Sequence, residues 1–263
     1  MFGYSEPFAD FPLNMNDDTD AICFTDDRTL KSKTWTFRYL NPSRFGPVRT
    51  SKRVKILAHR YVGGYAESLY IDNRVEPKVR ISQIFSYLNE TSGPMVTFSH
   101  PDRDCLYDEA EIIIKWGIDD ADTVTAQMAG YRSLGYPTHA GLIAGSMLLR
   151  RHNDLIVQPL MEAWFKEVVR HSYRDQLSFN YVAWRNGFVP SNFPGALDKN
   201  DLMNWPIEKG PRLPRSFSDL DYLALNPDVK YSNMTPREHY IKVGAQEGRE
   251  WRRDHKKSTR SRV

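Results

Sequence analysis

The sequence predicts an α/β fold in which helices flank a mostly parallel sheet, with a small helical hairpin at the C-terminal end. Three observations carry that reading. Short β-forming runs alternate with helix-period segments through about residue 190, the pattern of a layered sheet with covered faces. Five prolines, Pro190, Pro194, Pro206, Pro211 and Pro214, then fall within 25 residues and break the alternation. Beyond them, "TPREHYIKVGAQEG" carries a full set of helix-start signals.

The elements follow in order. "DAICF", residues 20–24, reads as a short buried strand stopping at Thr25, Asp26 and Asp27, and "TWTFRYL", residues 34–40, as a second or edge strand. Ser51 is placed to cap a helix over "KRVKILAHRYV", with Val54, Leu57, Ala58 and Tyr61 on one face. "SLYIDNR" is a strand, Leu69 to Ile71, that runs directly into Asp72, Asn73 and Arg74. A helix over 81–89 and a strand over "PMVTFSH" come next, with Met95, Val96 and Phe98 inward. Two helical segments, "LYDEAEIIIKWG" and "DDADTVTAQMAGYRSLG", end at glycines as helices commonly do. "AGLIAGSMLLRRH" is apolar enough for a helix, but Gly141 and Gly145 interrupt it and favour strand. Pro159 opens a helix with Leu160, Trp164 and Val168 in register, and "RDQLSFNYVAWRNG" makes the next. In the C-terminal hairpin Thr235 caps, Pro236 takes the first helical position and Glu238 completes a capping box. The organisation expected is therefore a main domain over 1–190, a Pro-rich linker or wrapping segment over 191–215, a helical module over 216–250 and a basic tail over 251–263.

Composition limits what such a chain does. Of 263 residues 40% are apolar and 26% charged, ordinary for a globular protein. The tail "WRRDHKKSTRSRV" holds six Lys/Arg and one Asp, a net +5 against +3 for the whole chain, so residues 1–250 carry −2. That balance argues against nucleic acid as a partner and makes the tail a separate electrostatic feature, suited to an anionic membrane surface. The opening "MFGYSEPFAD" lacks the basic start and apolar centre of a signal peptide, and two cysteines, Cys23 and Cys105, are too few for a disulfide scaffold. A cytoplasmic setting is expected, peripheral to the inner face of the membrane. No Walker loop, GxSxG, GxGxxG or HExxH occurs.

Chemistry concentrates at the strand ends, where ligands of α/β sheets collect. Asp72 is an acid at such an end; a Mg²⁺ or Mn²⁺ ion takes one or two carboxylates and completes its shell with phosphates and water. Arg49, Lys52, Arg53 and Lys55 lie just upstream, cations that suit a diphosphate, or a solvated helix face. Asp26 or Asp27 has the chemistry to accept from a nucleobase or ribose, or to form an Asx-turn. "HPDRDCLYDEA" gathers His100, Arg103, Tyr107 and Glu109 after another strand. Asp175, three residues after Ser172, either completes a helix cap or acts on an acceptor hydroxyl.

"CFTDD", "SKRVKILAHRY", "SLYIDNR", "HPDRDCLYDEA" and "RDQLSFNY", in that order over roughly residues 2–188, resemble a glycosyltransferase-like domain family with plant and bacterial members. "YLALNPDVKYSNMTPREHYIKVGAQEGRE" separately resembles a C-terminal module of bacterial surface-polysaccharide glycosyltransferases. The resemblance implies a GT-A-like fold and transfer of a sugar from a nucleotide diphosphate donor, a UDP-sugar foremost, to a hydroxyl of a surface glycan or glycolipid. In that frame "IDN" stands where the class carries its metal-binding acids, with Asp72 the ligand of a Mn²⁺ or Mg²⁺ cofactor. Donor binding falls to Asp26, Asp27, Lys52, Arg53, Asp72, Asn73, His100 and Arg103, and Asp175 and Gln176 stand by the reacting sugar as the catalytic pair. Members of that family carry a further strand ahead of the position of Phe2 and Gly3, for which "MFGYSEP" leaves no residues. The alternatives are a non-catalytic glycan- or nucleotide-binding protein and a metal-assisted hydrolase.

Overall fold

A computed structural model describes residues 1–3, 7–42, 44–207, 213, 217–245 and 247–251. The chain divides into two compact units. The first comprises Met1–Gly3 and Asp10–Ile207, the second Tyr4–Ala9 and Glu208–Val263.

In the first unit the order is β1 (Ile22–Thr25), β2 (Thr36–Tyr39), α1 (Gly46–Ile56), α2 (Ala58–Tyr61), β3 (Ser68–Ile71), β4 (Glu76–Pro77), α3 (Ile81–Glu90), β5 (Met95–Ser99), α4 (Leu106–Lys115), α5 (Ala121–Ser133), β6 (Ile143–Arg150), α6 (Val157–Arg170), α7 (Gln176–Arg185), β7 (Ser191–Asn192) and β8 (Met203–Asn204). The central sheet has four strands ordered β3-β6-β5-β7. Strand β6 runs antiparallel to both β3 and β5, and only β5–β7 is parallel. The expected mostly parallel sheet is therefore corrected to a mixed one. The cause is a count of traverses. One helix, α3, carries the chain from β3 back to the start of β5, so those two strands run the same way. Two helices, α4 and α5, lie between β5 and β6 and return the chain to the end it left, so β6 must run in reverse. Strands β1 and β2 form a separate parallel pair, and β4 pairs antiparallel with β8.

Both faces of the central sheet are covered. Leu148 and Met95 look toward a core built with Ile56, Ile113, Leu160, Trp164 and Phe179, from α1 and α4 to α7. Val96, Phe98, Met147 and Leu149 look toward a second core with Ile84, Leu88, Phe193 and Leu202. This is why 143–150 reads as an unbroken apolar run: every residue of β6 is buried, its side chains shared between the two cores. The segment 191–207 belongs to this architecture, since it supplies β7, β8 and the buried Phe193, Leu197 and Leu202. Helix α1 begins earlier than its sequence suggests. Pro47 sits in its first turn, and Ser51, expected as the cap, lies inside the helix with its hydroxyl donating to the Val48 carbonyl (2.7 Å). Helix α6 likewise starts at Val157, before Pro159, where the Asp154 carboxylate accepts from the Ile156 and Val157 amides.

The second unit holds α8 (Asp219–Leu225), a 3₁₀ turn (Pro227–Tyr231), α9 (Pro236–His239) and a π turn (Tyr240–Gly244) around Tyr222, Val229 and Tyr240. Its capping box forms as read: the Thr235 hydroxyl accepts from the Glu238 amide, and the Glu238 carboxylate accepts from the Thr235 amide. Pro211, Pro214 and the tail beyond Trp251 lie outside the described residues. No helix among the described residues is long and apolar enough to cross a membrane.

Candidate functional site

Strands β3 and β5 finish, and β6 begins, at one end of the central sheet. Helix α7 also starts there: its Asn180 side chain accepts from the Ile143 amide, and Gln176 Nε2 donates to the Ile143 and Ala144 carbonyls (3.1 and 2.9 Å). Helix α1 is anchored over the sheet from the far end of β6. Arg150, fully buried, donates to the carbonyls of Lys55 and Ile56. Its guanidinium is itself pushed down to about 10 by burial. Arg49 does a comparable service for α6, donating to the Val168 and His171 carbonyls.

Lys52 and Lys55, three apart on α1, share a face and converge on Asp175 at the start of α7. Lys52 Nζ lies 2.8 Å from Oδ1 and Lys55 Nζ 2.5 Å from Oδ2. Lys55 and Asp175 are buried, whereas Lys52 keeps 19% of its side chain exposed. Burial pushes the Asp175 carboxyl up, but the Lys52 and Lys55 ammonium groups prevail and hold it well below the usual range. Burial lowers Lys55, with Asp175 and Asp72 opposing. The Lys55 ammonium also rests over the Tyr70 ring, 5.1 Å from its centroid, and the Tyr70 hydroxyl donates to Asp72 Oδ1 (2.5 Å). Tyr70 and Asp72, two apart, leave β3 on one side. Gly145, at φ +70°, lies opposite: a Cβ there would stand 3.3 Å from Lys55 Nζ and 3.8 Å from Gln176 Cγ. Glycine thus leaves room for the ammonium to pass.

Asp72, Lys52, Asp175 and Gln176 are accordingly brought together, through Lys55. The helix-cap alternative for Asp175 does not form: the Ser172 hydroxyl donates to Asp119 and accepts from the Arg174 amide, while the Asp175 side chain caps nothing. The other residues lie elsewhere. Arg53 points to the β1 side, 6.0 Å over the Tyr61 ring, which meets Phe24 edge-on. Asp26, just past β1, accepts from the Gly3 amide (3.0 Å), and Asp27 forms the Asx-turn, accepting from the amide and hydroxyl of Thr29. Asn73 follows Asp72 into a turn closed by the Val75 amide on the Asp72 carbonyl (2.9 Å). His100 and Arg103 sit past β5, separated by β6 from β3 and so about 10 Å away across two strand spacings. There Arg103 Nε pairs with the buried Glu109 (2.7 Å) and Arg103 Nη2 meets His100 Nε2 (3.2 Å). Burial lowers His100 and favours its neutral form.

Asp72 belongs to no group of three or more His, Cys, Asp or Glu ligands among the described residues. A single carboxylate fits Mg²⁺ or Mn²⁺ where a diphosphate and water supply the remaining oxygens. Tyr70, Gly145 and Arg150 are the residues whose part in the site sequence reasoning passed over, and Lys55, read as one of several cations suited to a diphosphate, is instead buried against Asp175 and the Tyr70 ring. Gly145 carried a signal, since a glycine inside an apolar strand often marks the close approach of another group.

The family described as TOD1/MUCI70, glycosyltransferase-like domain, has a model that matches residues 28–192, which is 165 of the 263 residues. The matched span runs from just after Asp27 through β7 and includes Lys52, Lys55, Asp72 and Asp175. No curated protein matches the chain.

Proposed function

Because the chain belongs to the TOD1/MUCI70 glycosyltransferase-like domain family, we propose that it moves a sugar from a nucleotide diphosphate donor, a UDP-sugar foremost, to a hydroxyl of a surface glycan or glycolipid. The observation that carries this reading is the meeting of Lys52 and Lys55 with Asp175 beside Asp72 at the sheet end. A departing diphosphate needs fixed positive charge in a site that does not have to reorganise. Lys52, the more exposed lysine, reaches the phosphates, and Lys55 acts from behind it. Asp72 would hold a divalent cation shared with the diphosphate, and that ion, when bound, would stabilise the leaving group.

For Asp175 we infer a task different from that of a base. A general base works best with a pKa near the working pH and within reach of the acceptor. Asp175 is buried, ionised and engaged by two ammonium groups. We assign it the positioning of Lys52 and Lys55, and Gln176 the docking of α7 on β6. The basic tail favours an anionic membrane at the inner face.

Calorimetry with UDP and a panel of nucleotide sugars, with and without Mn²⁺, tests the reading, followed by donor turnover. Binding strengthened by Mn²⁺ and lost in Asp72→Ala, with turnover lost in parallel, is expected. Failure of every nucleotide diphosphate to bind overturns it, and binding without turnover reduces the protein to a nucleotide binder.

A further inference from the structure

A second cluster of metal-ligating side chains lies at the same end of the sheet but takes no part in the arrangement above. Cys105 immediately precedes α4, and Asp108 is in the first turn of that helix, three residues on and so on the same face. His139 comes from the connection between α5 and β6. One ligand atom from each of the three, the Cys105 Sγ, an Asp108 carboxylate oxygen and a His139 ring nitrogen, lies within 4.8 Å of the others, and theirs is the only such trio among the described residues. We propose that Cys105, Asp108 and His139 form a binding site for a divalent metal of the zinc class, separate from the Asp72 site.

The chemistry of the donors selects the metal. A thiolate, an imidazole and a carboxylate make a set that Zn²⁺ accepts and that Mg²⁺ or Mn²⁺, which prefer oxygen, does not favour. Three protein ligands leave a fourth tetrahedral position for water. Distances support it: Zn–S of about 2.3 Å and Zn–N or Zn–O of about 2.0–2.2 Å put tetrahedral ligands about 3.4–3.7 Å apart. The trio already lies within 4.8 Å, so closing it requires movement of at most roughly an ångström, within reach of the exposed side chains of Asp108 and His139. Cys105 is 1% exposed and both its companions reach solvent, so an entering ion meets His139 and Asp108 first and then the thiol. The Cys105 proton leaves as the ion binds.

A second, independent feature is the orientation of the imidazole. His139 Nδ1 lies 2.7 Å from Asp104 Oδ1. Metal-bound histidines characteristically place one ring nitrogen on a carboxylate, which fixes the ring and leaves the other nitrogen for the ion. His139 also sits at φ +52°, the only non-glycine residue with positive φ among the described residues. The backbone there is held in a conformation that costs energy for an L-residue, in the segment that presents the ring. A bound ion would tie the start of α4 to the chain entering β6, across the end of β5.

The test uses the full chain, stripped with chelator and titrated with Co²⁺ as a spectroscopic stand-in for Zn²⁺. One equivalent should bind with a thiolate-to-cobalt charge-transfer band in the near ultraviolet, and Zn²⁺ should displace it. The band should vanish in Cys105→Ser and persist in Cys23→Ser and Asp72→Ala. His139→Ala, a change at an exposed side chain that leaves the core intact, should weaken binding at least tenfold. Asp104→Asn should weaken it by about 10–100-fold. Absence of a thiolate band at one equivalent of Co²⁺, or an affinity unmoved by His139→Ala, overturns the proposal. Because the readout is metal binding at a thiol, failure of the chain to bind nucleotide leaves this test unaffected.

Discussion

Replacing Lys55 with methionine removes one of two cations from a carboxylate that has no access to water. Breaking a buried ion pair from one side costs about 3–5 kcal/mol, because the partner keeps its charge in a place that cannot solvate it. Asp175 still has Lys52 at 2.8 Å, and Lys52 is 19% exposed, so part of the compensation survives. The expected loss is therefore at the lower end, about 3 kcal/mol, more than a hundredfold in the folding equilibrium. The double variant Lys55→Met, Asp175→Leu replaces the buried charges by apolar groups and should recover to within about 1 kcal/mol of wild type, since Lys52 can turn to solvent. Urea denaturation of the three proteins measures both values, and calorimetry with UDP runs alongside. Nucleotide binding should be lost in the single variant and stay lost in the double one, although its stability returns. A neutral single variant would refute the buried-pair argument. A double variant that regains nucleotide binding would refute the placement of the donor site.

Three further outcomes follow from neighbouring residues. Because the folded Asp175 carboxyl is depressed below its ordinary value of 3.8, its contribution is complete above about pH 4 and fades as pH falls through the depressed value. The stability gap between wild type and Asp175→Asn should then narrow between about pH 4 and pH 2 in denaturation curves; a constant gap contradicts the ion-pair assignment. Gly145→Ala forces an L-residue to φ +70° and sets a Cβ 3.3 Å from Lys55 Nζ, so a loss of about 1–2 kcal/mol in thermal unfolding and weaker UDP binding are expected, and full retention of both argues against the cradle. Arg150→Leu leaves the Lys55 and Ile56 carbonyls without their buried donor; a loss of about 3 kcal/mol is expected, and unchanged unfolding would show that α1 is anchored by other means.

The elements of the main unit were legible because burial writes itself into periodicity. The run from Ile143 to Arg150 is buried on both sides and reads as strand for that reason. The direction of β6 was not read, although its determinant was in view: "LYDEAEIIIKWG" and "DDADTVTAQMAGYRSLG" are two helices, and two traverses reverse a strand. Alternation of strands and helices favours parallel sheets in general and does not by itself show that count. The start of α1 is hard to place because Ser51 looks like a cap, while Pro47 in the first turn is the better signal. For the candidate site, the strand-end rule points to Asp72 and "RDQ" to Asp175 as separate points, and the structure sets both beside Lys55. Nothing local announces that Lys55 joins residues 17 and 120 positions further on. The same holds for Cys105 and His139, 34 apart, which met only when α4 and α5 folded back.

The charges at the sheet end carry one more consequence. Lys52, Lys55, Asp72 and Asp175 sum to zero before any ligand arrives, and Asp175 already draws on both lysines. A diphosphate entering this neutral quartet meets little net attraction unless something further is positive. Arg53 faces β1 and Arg103 is paired with Glu109, so neither is aimed at the space beside Asp72. In the proposed site, an ion shared between Asp72 and the phosphates would supply the missing charge. Donor affinity should consequently depend on divalent cation far more steeply than on Lys52 alone: removing Mn²⁺ with chelator should weaken UDP binding more than Lys52→Ala does in the presence of Mn²⁺. If chelator leaves UDP binding unchanged while Lys52→Ala abolishes it, the lysines alone carry the diphosphate and Asp72 is not a metal ligand.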